Sequence, residues 1–359
     1  MAQGKIPPEV QSPAPDAAPP GPAIRVAPSP HLSDASFTTR RMMVDVLVGL
    51  APAVAVAIYV FRWYAVVQVG LCVLACLAAE AVLGAMRKKP LSLGDGSAAV
   101  TGVILGLSLP WSAPWYIAVI GSVVAVGLGK VVFGGLGYNI FNPAMVGRAF
   151  VMLSFAKQMG ASAYRWAEST LEVVTQATPL SAAKEYATAL AAGKDVTGPL
   201  QEQLESASQL GSLLIGNVNG SLGETSALAL LVGGIYLCVR RTASWEIPAG
   251  VLLGAFAVAA ALSATPLTPF NPVAHLLSGA LLFGAFFIAS DPVTSPLTPK
   301  AKFLFGLGIG VLVVLIRLFS GYPEGVMFAV LLMNAVVPLL NRWTVPRPLG
   351  GPAPKPKEA

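Results

Sequence analysis

Charged residues are scarce in this chain: Asp, Glu, Lys and Arg make up only 11% of its 359 residues, against about 25% in soluble domains. A soluble fold of this length could not bury the apolar remainder, because 55% of the residues are hydrophobic. With a mean hydropathy of +0.70, the composition predicts a polytopic membrane protein. The net charge of +6 needs no nucleic-acid partner, since basic residues flank membrane spans.

Cysteine is also rare. Cys72, Cys76 and Cys238 are the only three, and all lie in apolar segments. These three alone cannot build a disulfide framework or a closed metal site, so no metal is expected. Cys72 and Cys76, four residues apart, could supply half of an iron–sulfur site, but small residues at a helix contact are the favoured interpretation.

Both ends of the chain differ from its centre. Residues 1–36 are rich in proline and alanine and contain no apolar run. They predict a disordered cytoplasmic tail without a cleaved signal peptide. Residues 346–359 form a second, Pro/Lys-rich cytoplasmic tail. The membrane domain is therefore expected at 37–345.

Apolar runs predict about ten transmembrane helices, each needing about 20 residues. The shorter, glycine-rich runs 96–110 and 224–239 are expected to be tilted or broken. The predicted spans are 43–61, 65–86, 96–110, 113–133, 140–156, 224–239, 246–264, 273–290, 301–319 and 323–341.

The distribution of basic residues predicts the orientation. With the N-terminus in the cytoplasm, nearly all basic clusters fall inside: Arg40 and Arg41, 87–89, Lys130 with Arg148, Arg240 and Arg241, Lys300 with Lys302, and Arg342. Ten spans then place both termini inside. The polar loop 157–210 is expected on the outer face.

Two motifs recur at one offset of 129 residues. Asp95 and Glu224 occupy equivalent positions in similar segments, as do Asn142-Pro143 and Asn271-Pro272. This register predicts an internal duplication. Because one period holds three predicted spans, the two copies should have opposite orientations, as in transporter folds with a site near the midplane.

Asp95 and Glu224 each open an apolar run. They cap the helices that follow, or they line an ion path as intramembrane carboxylates. The sequence leaves both interpretations open. The Asn-Pro pairs are typical of helix starts.

Several segments together resemble a known family. Segment 134–147 is similar to the signature of the D-type subunit of Rnf electron-transport complexes and of its relative, the B-type subunit of the sodium-translocating NADH:quinone oxidoreductase. Segments 95–99, 220–226 and 290–296 support the likeness, which runs from about 40 to 342. It implies an all-α polytopic fold of about ten transmembrane helices with an inverted, urea-transporter-like repeat, in a bacterial inner membrane.

The resemblance also implies a cofactor: flavin mononucleotide (FMN) bound covalently through its phosphate to a threonine. The family's attachment motif maps onto Thr175, Gln176, Ala177 and the acceptor Thr178, on the periplasmic side. Gln176 stands where glycine is usual, and Glu172 where aspartate is usual. Without the resemblance, Thr178-Pro179 is typical of a turn, because a residue before proline is pushed to extended conformations.

The implied partners are the other Rnf subunits, a flavin transferase, membrane lipid and Na⁺ or H⁺. A second, non-covalent flavin such as riboflavin is a further possibility. The chain has no G-x-G-x-x-G after a strand and no four-cysteine cluster, so it would carry no NADH or ferredoxin site of its own. It is expected to be a non-autonomous subunit of a translocase that acts between ferredoxin and NAD.

Other polar residues have local interpretations. His275 is proton-linked or simply packed, and Asp291 fixes a tight turn or contacts a second flavin or a partner subunit. Asp45 and Arg317 should pair with charged neighbours that the sequence does not identify. Two alternative functions remain open: a channel or small-solute transporter on the same fold, and a scaffold whose flavin site has decayed.

Overall fold

A computed structural model describes most of the chain. The contacts group the described residues from Thr39 onwards into one unit. Residues outside the description include the predicted tails, the attachment motif and residue 172. The described ranges are 38–88, 93–160, 179–193, 210–216, 220–263, 271–322 and 324–345.

The described residues form helices and turns, with no β-strand among them. The all-α prediction is thus confirmed for this part of the chain. The helices are α1 Thr39–Phe61, α2 Trp63–Met86, α3 Ser97–Ser108, α4 Trp115–Val126 with a π-helical extension Gly127–Val131, α5 Pro143–Ser154, α6 Ala156–Gly160, α7 Pro179–Ala191, α8 Leu210–Ile215, α9 Ala227–Val239, α10 Glu246–Ser263, α11 Pro272–Leu277, α12 Leu281–Phe283 with a π-helical extension Gly284–Ile288, α13 Pro299–Phe319 and α14 Val326–Thr344.

Each predicted span coincides with one of these helices or with a pair of them. Five described helices, α1, α2, α10, α13 and α14, are long and apolar enough to cross a membrane. Helices α3, α4, α5 and α9 are apolar but shorter, in agreement with the short runs expected at 96–110 and 224–239. The chain is therefore a polytopic membrane protein.

The predicted span 273–290 is broken rather than continuous. Helix α11 ends before Ser278, and Gly279 adopts a left-handed conformation with φ of 66°. A break inside an apolar domain leaves helix-end carbonyls without partners. Here Arg317 satisfies them: its Nη1 donates to the carbonyl of His275 at 2.7 Å, and its Nη2 donates to that of Ser278 at 3.0 Å.

Three helices start at an X-Pro pair whose first residue caps the helix with its side chain. The Asn142 side chain accepts from the amides of Ala144 and Met145, and Asn271 accepts from the amide of Val273. Thr298 caps α13 in the same way. Proline at the first helical position has no amide hydrogen to leave unpaired. The two Asn-Pro motifs predicted from the 129-residue offset therefore have the same local role.

Glycines set the closest helix contacts. Helices α10 and α13 pack through Gly250 and Gly254 on one side and Gly306 and Gly310 on the other. A Cβ atom at Gly310 would lie 2.2 Å from the carbonyl oxygen of Val251. Small residues let helix backbones approach in membranes. Larger side chains at these four positions would force α10 and α13 apart.

Candidate functional site

The attachment motif predicted at Thr175, Ala177 and Thr178 lies outside the described residues, as do Gln176 and Glu172. The description resumes at Pro179, the first residue of α7. Helix α7 was not anticipated by the sequence, which predicted only a polar loop over 157–210. Pro179 thus lies within the helix, and Thr178 is the residue before it in the sequence.

An open cleft lies at the meeting point of α1, α3, α4, α5 and α9. We call it the Lys130 cleft. Both π-helical segments border it, one through Lys130 and the other through Phe287. Such segments occur frequently at functional sites. The polar residues of the wall are Ser97, Thr101, Lys130, Asn139, Asn142, Thr242, Ser290 and Asp291.

Lys130 is held in place by two hydrogen bonds. Its Nζ donates to Oε1 of Glu80 at 2.6 Å and to Oγ of Ser97 at 2.6 Å. The ion pair is buried, with side chains 3% and 4% exposed. A buried charge is stable only when it is paired in this way. The pair thus gives the cleft a fixed cation at its wall.

Asp95 belongs to the same chain of hydrogen bonds. Its Oδ1 accepts from the amide of Ser97 at 2.8 Å and from the hydroxyl of Ser97 at 2.6 Å. The carboxylate therefore stabilises the start of α3, as the capping interpretation predicted. The Ser97 hydroxyl donates to Asp95 and accepts from Lys130, so it connects the two charged groups.

Glu224 has a different role. Helix α9 is capped by Ser226, which accepts from the amide of Ala229. Glu224 instead pairs with Arg148 at 3.5 Å, with both side chains largely buried. The capping interpretation is therefore wrong for Glu224, because Ser226 occupies that position. Asp95 and Glu224 lie in separate clusters.

A second ion pair lies beside Glu224. Arg317 contacts Glu324 at 3.4 Å, and Glu324 also accepts from the amide of Ala280 at 3.0 Å. The carboxylates of Glu224 and Glu324 lie close enough to repel each other. We call Arg148, Glu224, Arg317 and Glu324 the arginine–glutamate cluster. It joins the break between α11 and α12 to α5.

Asp45 and Asp291 both accept hydrogen bonds from nearby groups. Asp45 accepts from the hydroxyls of Tyr236 and Thr242 and from Arg240, which identifies the partners that the sequence left open. Asp291 accepts from the amide of Val293 and the hydroxyl of Thr294. The predicted tight turn at Asp291 is thus confirmed, and the residue also borders the cleft.

The cysteines and His275 fit the packing interpretation. Cys72 and Cys76 are free and buried, and Cys238 is free and half-buried. Among the described residues, no group of His, Cys, Asp and Glu could hold a metal ion. His275 lies buried in α11, where its carbonyl accepts from Arg317.

Sequence reasoning missed Glu80 and Glu324 and misjudged Lys130 and Arg148. The last two were counted as basic residues flanking the spans, but both are buried in ion pairs. A usable signal existed, since Glu80, Lys130 and Arg148 fall within predicted apolar spans. Charges at such positions are costly and are kept for a reason.

The Lys130 cleft has features that fit an aromatic, hydrogen-bonding ligand such as a flavin. Phe287 offers a ring, and the ammonium group of Lys130 lies at the wall. Oδ1 of Asn139 is buried without a hydrogen-bond partner in the part of the chain that the structure describes. Buried acceptors normally have a partner, so this atom is available to an N–H group of a ligand.

Comparison with known proteins identifies the family. The family model described as NQR2, RnfD, RnfE matches residues 25–350. The chain is 41% identical over 327 residues to the D-type subunit of the Na⁺-translocating ferredoxin:NAD⁺ oxidoreductase complex of Acetobacterium woodii, covering 91% of this chain and 95% of that protein. It is 40% identical to the D-type subunit of the ion-translocating oxidoreductase complex of Halorhodospira halophila, covering 89% and 94%.

A third relative has a different coupling ion in its name. The D-type subunit of the proton-translocating ferredoxin:NAD⁺ oxidoreductase complex of Clostridium ljungdahlii is 37% identical, covering 90% of this chain and 96% of that protein. These likenesses span nearly the whole of each protein. The chain belongs to the NQR2, RnfD, RnfE family.

Proposed function

We propose that the chain is the D-type membrane subunit of an ion-translocating oxidoreductase complex that acts between ferredoxin and NAD. The observation that carries this proposal is the near full-length likeness to proteins named as that component, at 37–41% identity. Its partners are then the other subunits of the complex. The chain carries electrons and helps couple their transfer to movement of Na⁺ or H⁺.

The electron carrier in this proposal is FMN, esterified through its phosphate to Thr178, with Thr175 and Ala177 completing the motif that a flavin transferase recognises. A tether of this kind holds a polar cofactor at the membrane edge. The redox chemistry is that of the flavin, and the protein supplies its position and electrostatic surroundings.

A second, non-covalent flavin is assigned to the Lys130 cleft. The cation of Lys130, the ring of Phe287 and the free acceptor of Asn139 suit such a ligand. When bound there, a flavin would accept and donate electrons. The residues of the chain would bind and orient it.

The proposed arrangement follows the orientation inferred from the basic residues. The protein lies in the bacterial inner membrane with both termini in the cytoplasm and the flavin loop on the periplasmic side. Its two halves form an inverted, urea-transporter-like repeat. Asp95 and Glu224 are the ion-path candidates of the two halves. Glu224 is paired with Arg148, and a transported cation would replace Arg148 as the partner of this carboxylate.

Covalent flavin is tested directly on a denaturing gel. The wild-type chain, produced with a flavin transferase, should give a fluorescent band, and Thr178→Ala should be dark. Thr188→Ala is the matched control, because Thr188 is an exposed threonine of α7. A colourless wild-type band would overturn the covalent-flavin assignment, and fluorescence retained in Thr178→Ala would move the attachment elsewhere.

The same gel separates the proposal from the alternative functions. A channel or solute transporter on this fold needs no flavin acceptor, and a decayed scaffold would not be labelled. A fluorescent band that depends on Thr178 therefore contradicts both. If the complex with Thr178→Ala transfers electrons at the wild-type rate, this flavin is not a carrier.

A further inference from the structure

Helix α9 ends at an arginine whose backbone conformation usually requires glycine. Arg241 has a φ of 58°. Its amide donates to the carbonyl of Cys238 at 3.0 Å, and the amide of Thr242 donates to the carbonyl of Leu237 at 3.0 Å. This pair of hydrogen bonds forms a Schellman motif, whose left-handed position is usually occupied by glycine because a Cβ atom is strained there. Strain of this kind makes the side chain a candidate for a function.

Basic residues occupy every such position in the part of the chain that the structure describes. Besides Arg241, the described non-glycine residues with positive φ are Arg62, at 52°, and Lys88, at 53°. Each of the three lies one or two residues beyond the end of a helix. Lys and Arg at the ends of membrane spans extend their charged groups towards the lipid headgroups. The common property of the three positions is a cation that can reach the surface of the membrane.

Two contacts bring further helix ends to the turn that contains Arg241. The carboxylate of Asp45 in α1 accepts from the hydroxyl of Thr242 at 3.1 Å. The ammonium group of Lys302 in α13 donates to the hydroxyl of Ser244 at 2.6 Å. The turn between α9 and α10 is therefore held beside the starts of α1 and α13. We call the exposed basic residues of these three segments the Arg241 patch: Arg40, Arg41, Arg240, Arg241 and Lys300.

The Arg241 patch carries an excess of positive charge. Segments 39–45, 240–246 and 298–302 together hold six basic residues and two acidic ones, Asp45 and Glu246. Asp45 is already paired with Arg240 at 3.3 Å. Arg241 and Lys300 form no ion pair within the described ranges. These cations are therefore available to an anionic partner.

Two tryptophans indicate the depth at which the patch lies. Trp245 is exposed in the turn next to Arg241, and Trp343 is exposed in the last turn of α14. The end of α14 lies beside the start of α13, because the hydroxyls of Thr298 and Thr344 are 2.6 Å apart. Exposed tryptophans are enriched at the boundary between the membrane and water. A partner at this level is most simply a lipid headgroup.

We propose that the Arg241 patch binds the headgroup of an anionic phospholipid, with the guanidinium group of Arg241 on its phosphate. A planar guanidinium group pairs with phosphate through two parallel hydrogen bonds. A zwitterionic headgroup also has a phosphate, but its own cation cancels the attraction of the patch. An anionic headgroup has no such cation. This site goes beyond the proposed redox function and needs neither the flavin nor the ion path.

The first test uses the purified full-length chain in detergent micelles, with phosphatidylglycerol as the probe. Phosphatidylglycerol should raise Tm, and phosphatidylcholine should not. Arg241→Gly should have two opposite effects. Without lipid, its Tm should exceed that of the wild type by about 2–4 °C, because glycine relieves the left-handed backbone. The phosphatidylglycerol concentration that gives half of the Tm rise should increase about fivefold, because one basic charge is lost.

Arg62→Gly is the matched control, since it relieves the same backbone conformation at a helix end outside the patch. It should also raise Tm without lipid, but it should keep the wild-type response to phosphatidylglycerol. Arg241→Lys should retain most of that response. An unchanged lipid response in Arg241→Gly, or an equal loss in Arg62→Gly, would overturn the proposal.

Two further measurements distinguish the lipid from other anions. Glycerol 3-phosphate at the same concentration should leave Tm unchanged, and a rise equal to that with phosphatidylglycerol would assign the patch to a soluble phosphate instead. The other subunits of the complex should still associate with Arg241→Gly. Weakened association together with an unchanged lipid response would assign the patch to an acidic surface of a partner protein and refute lipid binding.

Discussion

Substitution of Gly310 by alanine should loosen the contact between α10 and α13. In an exposed helix, replacing glycine by alanine stabilises by about 1 kcal/mol, because glycine has more conformational freedom to lose. At position 310 the new Cβ atom would lie 2.2 Å from the carbonyl oxygen of Val251 and 2.7 Å from the amide nitrogen of Ala255. Both are backbone atoms of a packed helix.

The size of the effect follows from these distances. Real Cβ contacts essentially never fall below 3.0 Å, so the two backbones must separate by at least 0.8 Å at this point. Separation weakens packing along the interface, where Gly250, Gly254 and Gly306 also approach backbone atoms closely. Overpacking typically costs about 1–3 kcal/mol. Because both clashing atoms belong to a backbone, we take the upper end of this range, about 3 kcal/mol, and subtracting the gain of about 1 kcal/mol in helix propensity leaves a net destabilisation of about 2 kcal/mol.

Gly308 provides a matched control two residues away on the same helix. A Cβ atom there would meet the terminal Cε and Sδ atoms of Met333, at 2.7 and 2.9 Å. These atoms belong to a flexible side chain that can move aside. Gly308→Ala should therefore be nearly neutral or slightly stabilising.

Thermal denaturation of the purified protein in detergent measures the difference. Gly310→Ala should lower Tm by about 4 °C or more, from ~2–4 °C per kcal/mol, while Gly308→Ala stays close to the wild type. A Tm for Gly310→Ala at or above that of the wild type would refute the reasoning. An equal loss of Tm in both variants would mean that alanine destabilises α13 itself, and not that it clashes with α10 at position 310.

Three further predictions concern the buried charges. Lys130→Met should destabilise the protein by about 3–5 kcal/mol because Glu80 loses its cation; Lys130→Met combined with Glu80→Gln should recover most of this in the same denaturation assay, and a double variant as unstable as the single one would contradict the pairing. Arg317→Met should cost at least as much, since it strips the carbonyls at the helix break of their donors; proteolysis that is no faster than in the wild type would refute this. Asp95→Asn or Glu224→Gln should reduce ion transport in vesicles while covalent flavin stays on the gel, and normal pumping by the double variant would leave both residues without an ion-path role.

The sequence predicted the helix positions well because their signal is local. An apolar run and its flanking caps are contiguous in the chain, as at Asn142-Pro143 and Asn271-Pro272, where the amide oxygen reaches the helix start two residues away. Helix α7 was not anticipated, and the span 273–290 was predicted as continuous although it is broken. Its break depends on Arg317, about 40 residues downstream, and no local pattern identifies that partner.

The candidate site was less predictable. Asp95 and Glu224 look equivalent in sequence, yet Asp95 binds a residue two positions away and Glu224 binds Arg148, 76 positions away. The short-range partner can be inferred from turn chemistry. The long-range partner cannot, because it depends on which face of α5 turns towards the start of α9.

The sequence by itself determined that this is a helical membrane protein of the NQR2, RnfD, RnfE family, because hydropathy, helix caps and signature motifs are written in contiguous residues. Only the tertiary structure decided which buried charges meet: Lys130 with Glu80, 50 residues apart, and Arg317 with the ends of a broken span. The physical reason is that an apolar interior forces every charge to find a partner. The packing of the helices, set by glycine contacts, selects which partner is within reach.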